Sequence, residues 1–157
     1  MARITGISKS NIVNKIRMLG RKIEKPEINE VKQKYEMDEM TTVIGNKDDK
    51  NYIMYAINKK TGRVVDFKIR RRTTENIEKV IRRVLMLNPK KIFTDHLNIY
   101  PTLIPISVHR MINRGINRIE RNNLTLRTRL RRLNRKTICF SKSLEMLECS
   151  LKLYLWA

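Results

Sequence analysis

The chain contains few of the residues that stabilise secreted or membrane proteins. Only two of its 157 residues are cysteines, Cys139 and Cys149, and they lack the paired spacing of a tetrahedral zinc site. We therefore expect ordinary thiols in a reducing compartment. No apolar run approaches the roughly 20 residues of a membrane span, and the N-terminus has no charged-then-apolar signal segment. These absences predict a cytoplasmic protein with no membrane partner.

Acidic and aromatic residues are also scarce. Fifteen Asp and Glu residues face thirty-five Lys and Arg residues, which gives a formal charge of +20, and aromatic residues make up only 6% of the chain. Such an excess of positive charge predicts a polyanionic partner, either DNA or RNA. The low aromatic content favours a groove that follows a phosphate backbone over a platform that stacks bases.

The length and the apolar content of 41% are sufficient for one compact domain with at most a small extension. Residues 1–34 form that extension, and they are basic and helix-prone. Pro26 marks a break, and residues 25–34 around and after it are predicted to be a charged linker. Ser8 is a candidate N-cap. Several residues fit the small-residue, turn and core positions of a helix-turn-helix, namely Ala2, Gly6, Ile7, Ile12 and Ile16. Either this motif is cut short, or the segment is simply an amphipathic helix.

Residues 35–157 form the main domain, in which strand and helix patterns alternate. Val43 and Ile44 end a first strand that begins at Tyr35. A helix capped by Thr74 precedes Asn88 and Pro89, and its apolar stripe is formed by Ile77, Val80, Ile81, Val84 and Leu85. The other predicted elements are strands at 52–57, 64–69 and 91–95, with turns at 45–49 and 58–62. The fourth strand can return parallel beside the first. This order predicts an α/β fold with a ribonuclease-H-like core, made of an antiparallel meander, a parallel strand and flanking helices.

The C-terminal third of the domain is predicted to be helical. A helix over about 116–136 would carry one apolar stripe, formed by Ile116, Ile119, Leu126, Leu130 and Leu133. The opposite face would be basic, with Arg118, Arg121, Thr125, Arg129, Arg132 and Lys136. A last helix is predicted at 141–155. Since Glu120 is the single acid between Arg110 and Lys136, contact with phosphates is favoured over a merely solvated face.

Three carboxylates form the best candidate catalytic site. Asp38 lies within the first strand, Asp95 ends the fourth, and Glu120 belongs to the basic helix. If the two strands are neighbours, the aspartates approach each other, and carboxylates from separate elements suit Mg²⁺ bound together with phosphate oxygens. The alternative is that Asp38 and Glu120 are ordinary surface charges. A helical ion pair does not explain Glu120, because no cation lies three or four residues away.

Several of these segments resemble transposases of the insertion-sequence-one family of mobile elements. They are Glu36-Met37-Asp38-Glu39, Tyr55-Ala56-Ile57, Thr94-Asp95 with Tyr100, and above all RIERNNLTLRTRLRRLNRKTICFSKS from Arg118 to Ser143. The resemblance implies a ribonuclease-H-like core with an Asp-Asp-Glu metal triad, here Asp38, Asp95 and Glu120, and a histidine at position 109. It also implies that a complete protein begins with further DNA-binding elements, so we expect an N-terminal truncation.

The resulting hypothesis is a DNA transposase that uses Mg²⁺ or Mn²⁺ to cleave strands at the ends of an insertion element and to join them to target DNA. The expected DNA-binding residues are Lys9, Lys15, His109, Arg118, Arg121, Arg129, Arg132 and Lys136. A homo-oligomer on double-stranded DNA, associated with the nucleoid, is the expected assembly. Two alternatives remain open: a non-catalytic DNA-binding remnant of a transposase, and an unrelated basic nucleic-acid-binding protein.

Overall fold

The structure is a computed structural model that describes residues 4, 6–27, 30–112, 117–134 and 137–157. The helices and strands, in chain order, are α1 (Lys9–Lys22), β1 (Lys34–Val43), β2 (Lys50–Asn58), β3 (Val64–Arg70), α2 (Thr74–Leu85), β4 (Lys91–Thr94), α3 (Tyr100–Leu103), β5 (His109–Met111), α4 (Asn117–Arg129) and α5 (Leu144–Leu155). A 3-10 turn (Arg131–Leu133) follows α4. Among the described helices, none has the length and apolar character needed to cross a membrane.

The strands form one mixed sheet in the order β3-β2-β1-β4-β5. The first three strands are an antiparallel meander, and β4 lies parallel to both β1 and β5. The expected pairing of the fourth strand with the first, and with it the ribonuclease-H-like core, is confirmed. The sequence patterns did not reveal β5 or α3, because three or four residues are too few to show a period.

Hydrophobic side chains cover both faces of the sheet. On one face, Tyr35 and Met37 of β1 pack with the α2 residues Ile77, Val80, Ile81 and Val84, which form the predicted apolar stripe. On the other face, Met40 of β1 packs with residues of α4 and α5, including Ile119, Leu126, Leu147 and Leu151. Successive residues of a strand point to opposite faces. The side chains of Glu36, Asp38 and Met40 therefore lie on the α4 side, and that of Glu39 on the α2 side.

Three helices begin at hydroxyl caps. The Ser8 side chain accepts a hydrogen bond from the Asn11 N–H, so the predicted cap of α1 is confirmed. The cap of α2 is Thr73 and not Thr74, since the Thr73 side chain accepts from the Asn76 N–H. The last helix starts at Leu144 behind a Ser143 cap, so the expected start at 141 was three residues early.

The predicted continuous helix over 116–136 is wrong at its C-terminal end. The helix stops at Arg129, because Leu130 has extended backbone angles, and the 3-10 turn follows. This break keeps Leu133 in the same core as Leu126 while the chain returns toward Ser141, which bridges Ile44. Arg132 therefore leaves the basic face shared by the helix residues before it. Ile116 and Lys136 lie outside the described residues.

The helix α1 packs against α5. Gly20 lies so close to the backbone of Cys149 that a Cβ atom at this position would be 2.7 Å from the Cys149 Cα. Arg21 forms an ion pair with Glu145, and Lys152 Nζ donates to the Ile23 carbonyl at 3.0 Å. The N-terminal segment is thus attached to the C-terminal helix of the domain. Ala2, part of the helix-turn-helix pattern, lies outside the described residues.

Candidate active site

Two aspartates meet at the edge of the sheet where β4 ends. The parallel pairing matches Glu36 with Phe93, and two residues further along each strand this alignment reaches Asp38 and Asp95. One carboxylate oxygen from each of Asp38, Asp95 and Glu39 lies within 4.8 Å of the other two. The expected approach of the two aspartates is therefore present, together with a third carboxylate. We call these three residues the acidic cluster.

Asp38 is held in place by neutral donors. Its Oδ1 accepts from the Glu39 N–H at 2.8 Å, and its Oδ2 accepts from Asn123 Nδ2 at 2.7 Å. Burial raises the pKa of Asp38 above its usual value, although these two hydrogen bonds act to lower it. The negative charges of Asp95 and Glu120 raise it further. A cation placed at this carboxylate would relieve the repulsion.

Glu39 reaches the acidic cluster from the other face of the sheet. The Tyr100 hydroxyl, which is buried at the start of α3, donates a hydrogen bond to Glu39 Oε1. Burial is the main reason that the pKa of Glu39 rises to about 7, and the charges of Asp95 and Asp38 add to the effect. Glu39 was not among the predicted metal ligands, because strand alternation directs its side chain away from that of Asp38. Its position directly after Asp38 was the available signal.

Glu120 lies in the first turn of α4 with its side chain exposed. Its charge is near enough to raise the pKa of Asp38, but the compact set of oxygens consists of Asp38, Glu39 and Asp95. The next residue toward the N-terminus, Ile119, is fully buried and fixes the start of the helix in the core. Glu120 is therefore at the margin of the acidic cluster.

The start of α4 is attached to β1 by a buried carboxylate. Glu36 is only 1% exposed, and its Oε2 accepts from the backbone N–H of Ile119 at 2.9 Å. Its Oε1 lies 2.8 Å from Lys59 Nζ. The N–H groups of a first helical turn have no partner within the helix, so an acceptor at this point stabilises it. Glu36 thus connects the strand of Asp38 to the helix of Glu120.

Asn123 makes a second connection between the same two elements. Besides donating to Asp38, its Oδ1 accepts from the Tyr55 hydroxyl at 2.7 Å, and that hydroxyl lies 3.2 Å from the Ile119 carbonyl oxygen. Asn123 lies one turn after Glu120 on α4. No sequence pattern predicted this role, since an asparagine on a helix has no characteristic spacing. The hydrogen bonds orient Asp38 relative to α4.

His109 supports the end of β4. Its Nε2 lies 2.8 Å from the hydroxyl oxygen of Thr94, which is fully buried. The same hydroxyl oxygen lies 2.9 Å from the carbonyl oxygen of Asp95; when the hydroxyl donates to that carbonyl, His109 Nε2 is the donor to the hydroxyl. Burial lowers the pKa of His109, which favours the neutral ring. This histidine, expected to bind DNA, contacts a threonine next to Asp95.

The predicted basic residues fall into separate groups. Arg118 and Arg121 line an open cleft of about 350 Å³ beside the β2–β3 loop, and Arg118 Nη1 donates to the Lys60 carbonyl at 2.9 Å. Arg129 is exposed at the end of α4. Arg132 lies in the 3-10 turn and bonds to Ser141, while Lys9 and Lys15 are exposed on α1. Lys136 cannot be placed, since it is outside the described residues.

Comparison with known proteins decides the family. A family model described as IS1 transposase matches residues 33–156. The chain belongs to the IS1 transposase family. It is 39% identical over 113 residues to the insertion element iso-IS1n protein InsB of Shigella dysenteriae, an alignment that covers 72% of this chain and 86% of the relative. It is 32% identical over 111 residues to the insertion element IS1 protein InsB of Shigella flexneri, with 71% and 85% covered.

Membership of the IS1 transposase family confirms the resemblance found in the sequence and gives the chain a transposase role. The acidic cluster fits the divalent metal ion that such a role implies. Mg²⁺ and Mn²⁺ prefer carboxylate oxygens, and the cluster offers three of them within reach of one another. No described lysine or arginine forms an ion pair with Asp38 or Asp95.

Proposed function

We propose that the protein cleaves DNA strands at the ends of an insertion element and transfers them to target DNA. Asp38, Asp95 and Glu120 would hold Mg²⁺ or Mn²⁺, in keeping with the triad that the family resemblance implies. The observation that carries this proposal is the convergence of Asp38 and Asp95 at the end of β4, where their carboxylate oxygens lie within 4.8 Å. The charge of Glu120 reaches the same place, since it raises the pKa of Asp38.

The reaction consists of two phosphoryl transfers. Water attacks a phosphodiester at the element end, and the bond to the 3′ oxygen breaks to leave a 3′ hydroxyl. That hydroxyl then attacks a phosphodiester of the target, forming a new P–O bond and releasing a 3′ hydroxyl of the target strand. A divalent ion supplies activation of the attacking oxygen and stabilisation of the leaving one.

The protein's own residues orient the carboxylates for this chemistry. Asn123 and the Glu39 N–H each occupy one oxygen of Asp38, and a carboxylate oxygen keeps a further lone pair for a metal ion. Glu36 and Tyr55 hold the start of α4, so that Glu120 stays beside Asp38. His109 keeps Thr94 in place next to Asp95. Each carboxylate is thereby presented from a fixed element.

Positively charged side chains would hold the duplex through its phosphates. The net charge of +20 supports double-stranded DNA as the partner, and Arg118 and Arg121, which line the cleft and flank Glu120 in the sequence, are candidates. Arg129, Lys9 and Lys15 are exposed and can add contacts. Transfer requires two element ends held together, so we propose a homo-oligomer on DNA, in the cytoplasm at the nucleoid.

The test measures nicked and strand-transfer products on DNA that carries the element's ends, with Mg²⁺ or Mn²⁺. We expect product from the natural chain and none from Asp95→Asn. The matched control is Asp48→Asn, which makes the same chemical change in the exposed β1–β2 turn and should leave activity intact. Equal product from Asp95→Asn and the natural chain would remove the acidic cluster from the mechanism. Salt-dependent DNA binding without any metal-dependent product would instead support a non-catalytic remnant.

A further inference from the structure

A second basic cleft lies on the α4 side of the sheet, away from the acidic cluster. It has a volume of about 340 Å³ and lies between the end of β1, the β1–β2 turn and the segment that follows α4. Four cations line it, namely Lys47, Lys50, Arg127 and Arg132. None of the described residues that line this cleft is acidic. Like charges around one hollow repel one another, and an anion bound between them would reduce that repulsion.

Arg132 is the most informative of the four cations. It is half-buried, and burial lowers the pKa of its guanidinium. Its Nη1 donates to the neutral Ser141 hydroxyl at 3.0 Å, and within the described part of the chain it forms no ion pair with a carboxylate. A partly desolvated guanidinium without a counter-charge is unfavourable. An anionic ligand would supply that charge through the planar, bidentate contact that arginine makes with phosphate.

Thr42 adds a polar group without a partner. This residue of β1 lines the cleft and is only 5% exposed, and its hydroxyl forms no hydrogen bond with the described residues. A buried hydroxyl without an acceptor is unfavourable, because it has lost its hydrogen bonds to water. The Lys47 and Lys50 side chains beside it are long and exposed, so they can rotate to admit a ligand. An oxygen of a bound anion could then accept the proton of the Thr42 hydroxyl.

The cleft is on the same face of β1 as Asp38. Thr42 follows Asp38 by four residues, and at about 3.3 Å per residue the two positions are about 13 Å apart along the strand. Each strand of a DNA duplex carries a phosphate about every 3.4 Å along the helix axis, so a bound duplex is longer than this separation. A duplex that has one phosphate at the acidic cluster can therefore extend past the edge of the sheet to this cleft.

We propose that this cleft binds a backbone phosphate of the DNA on which the acidic cluster acts. The inference rests on the proposed function for the identity of the ligand. The ligand is the phosphodiester group itself, so no base sequence is read here. Binding at a fixed distance from Asp38 would set how far the duplex enters the acidic cluster.

The experiment measures affinity for a short DNA duplex by fluorescence anisotropy over a series of salt concentrations. All proteins carry Asp95→Asn, and EDTA is present, so that no strand is cut. The double variant Lys47→Gln/Lys50→Gln is compared with Lys79→Gln/Lys90→Gln, which removes two exposed lysines at positions outside the cleft. Lys79 only forms an exposed ion pair with Glu75 on α2, so its loss should not affect folding.

We expect the first pair to lower the affinity about three- to tenfold and to reduce the slope of log affinity against log salt by about one. The control pair should leave the slope unchanged. Equal slopes for the two pairs, or no measurable binding of the duplex by the parent, would overturn the proposal. The proposal would also be overturned if NMR of the Arg132 side chain showed inorganic phosphate binding in the cleft, while the first pair of substitutions left the slope of log DNA affinity against log salt unchanged. The DNA affinity is measured without cleavage, so a failure of the proposed cleavage reaction would not change this result.

Discussion

Replacing Glu36 should show that this residue positions Glu120 in addition to stabilising the fold. Glu36→Gln keeps the size of the side chain, but it replaces the charged acceptor of the Ile119 N–H by a weaker neutral one and removes the charge that pairs with Lys59. A charged hydrogen bond contributes about 1.5–3 kcal/mol, and the Lys59 side chain is 34% exposed, so solvent compensates part of the loss. We therefore expect a loss of about 2 kcal/mol, which for a chain of this size lowers Tm by roughly 4–8 °C.

Activity should fall further than stability explains. Well below the Tm of the variant, the looser start of α4 should reduce strand cleavage at least tenfold, because small misplacements of a reacting group are costly. The matched control is Asp66→Asn on β3. It removes the charge of a similarly buried carboxylate, whose Oδ1 lies 2.8 Å from Lys25 Nζ. We expect it to lower Tm by a comparable amount and to leave cleavage nearly unchanged. Equal cleavage by the two variants would refute the positioning role of Glu36.

Two further predictions concern the contact between α1 and α5. Gly20→Ala should destabilise the protein by about 1–3 kcal/mol, because the new Cβ would lie 2.5 Å from the Cys149 Cβ. An unchanged Tm in thermal unfolding would show that α1 does not pack against α5 at Cys149. Thiol labelling of the native protein should modify exposed Cys139 and spare Cys149, whose pKa is raised by burial. Mass spectrometry of the labelled peptides should find Cys149 modified only after denaturation, and rapid native labelling of Cys149 would contradict the packing.

The main elements of the core could be predicted because their signals are local. The apolar spacing of Ile77, Val80, Ile81 and Val84 identified α2, and the alternation of apolar and turn residues identified the meander. The break after Arg129 was missed for a physical reason. Leu130 and Leu133 continue a helical spacing, and only the need to return the chain toward Ser141 ends the helix. Periodicity contains no information about such a return.

The amino-acid sequence by itself determined the order of the longer strands and helices, the excess of positive charge, the acidic residues available for metal binding and the transposase family. Only the tertiary structure decided which of these groups meet. It brings Glu39 to Asp38 from the opposite face of the sheet, and it uses the buried Glu36 to join α4 to β1. These contacts depend on strand register and on long-range hydrogen bonds, because residues distant in the chain become neighbours only when the sheet and its covering helices pack together.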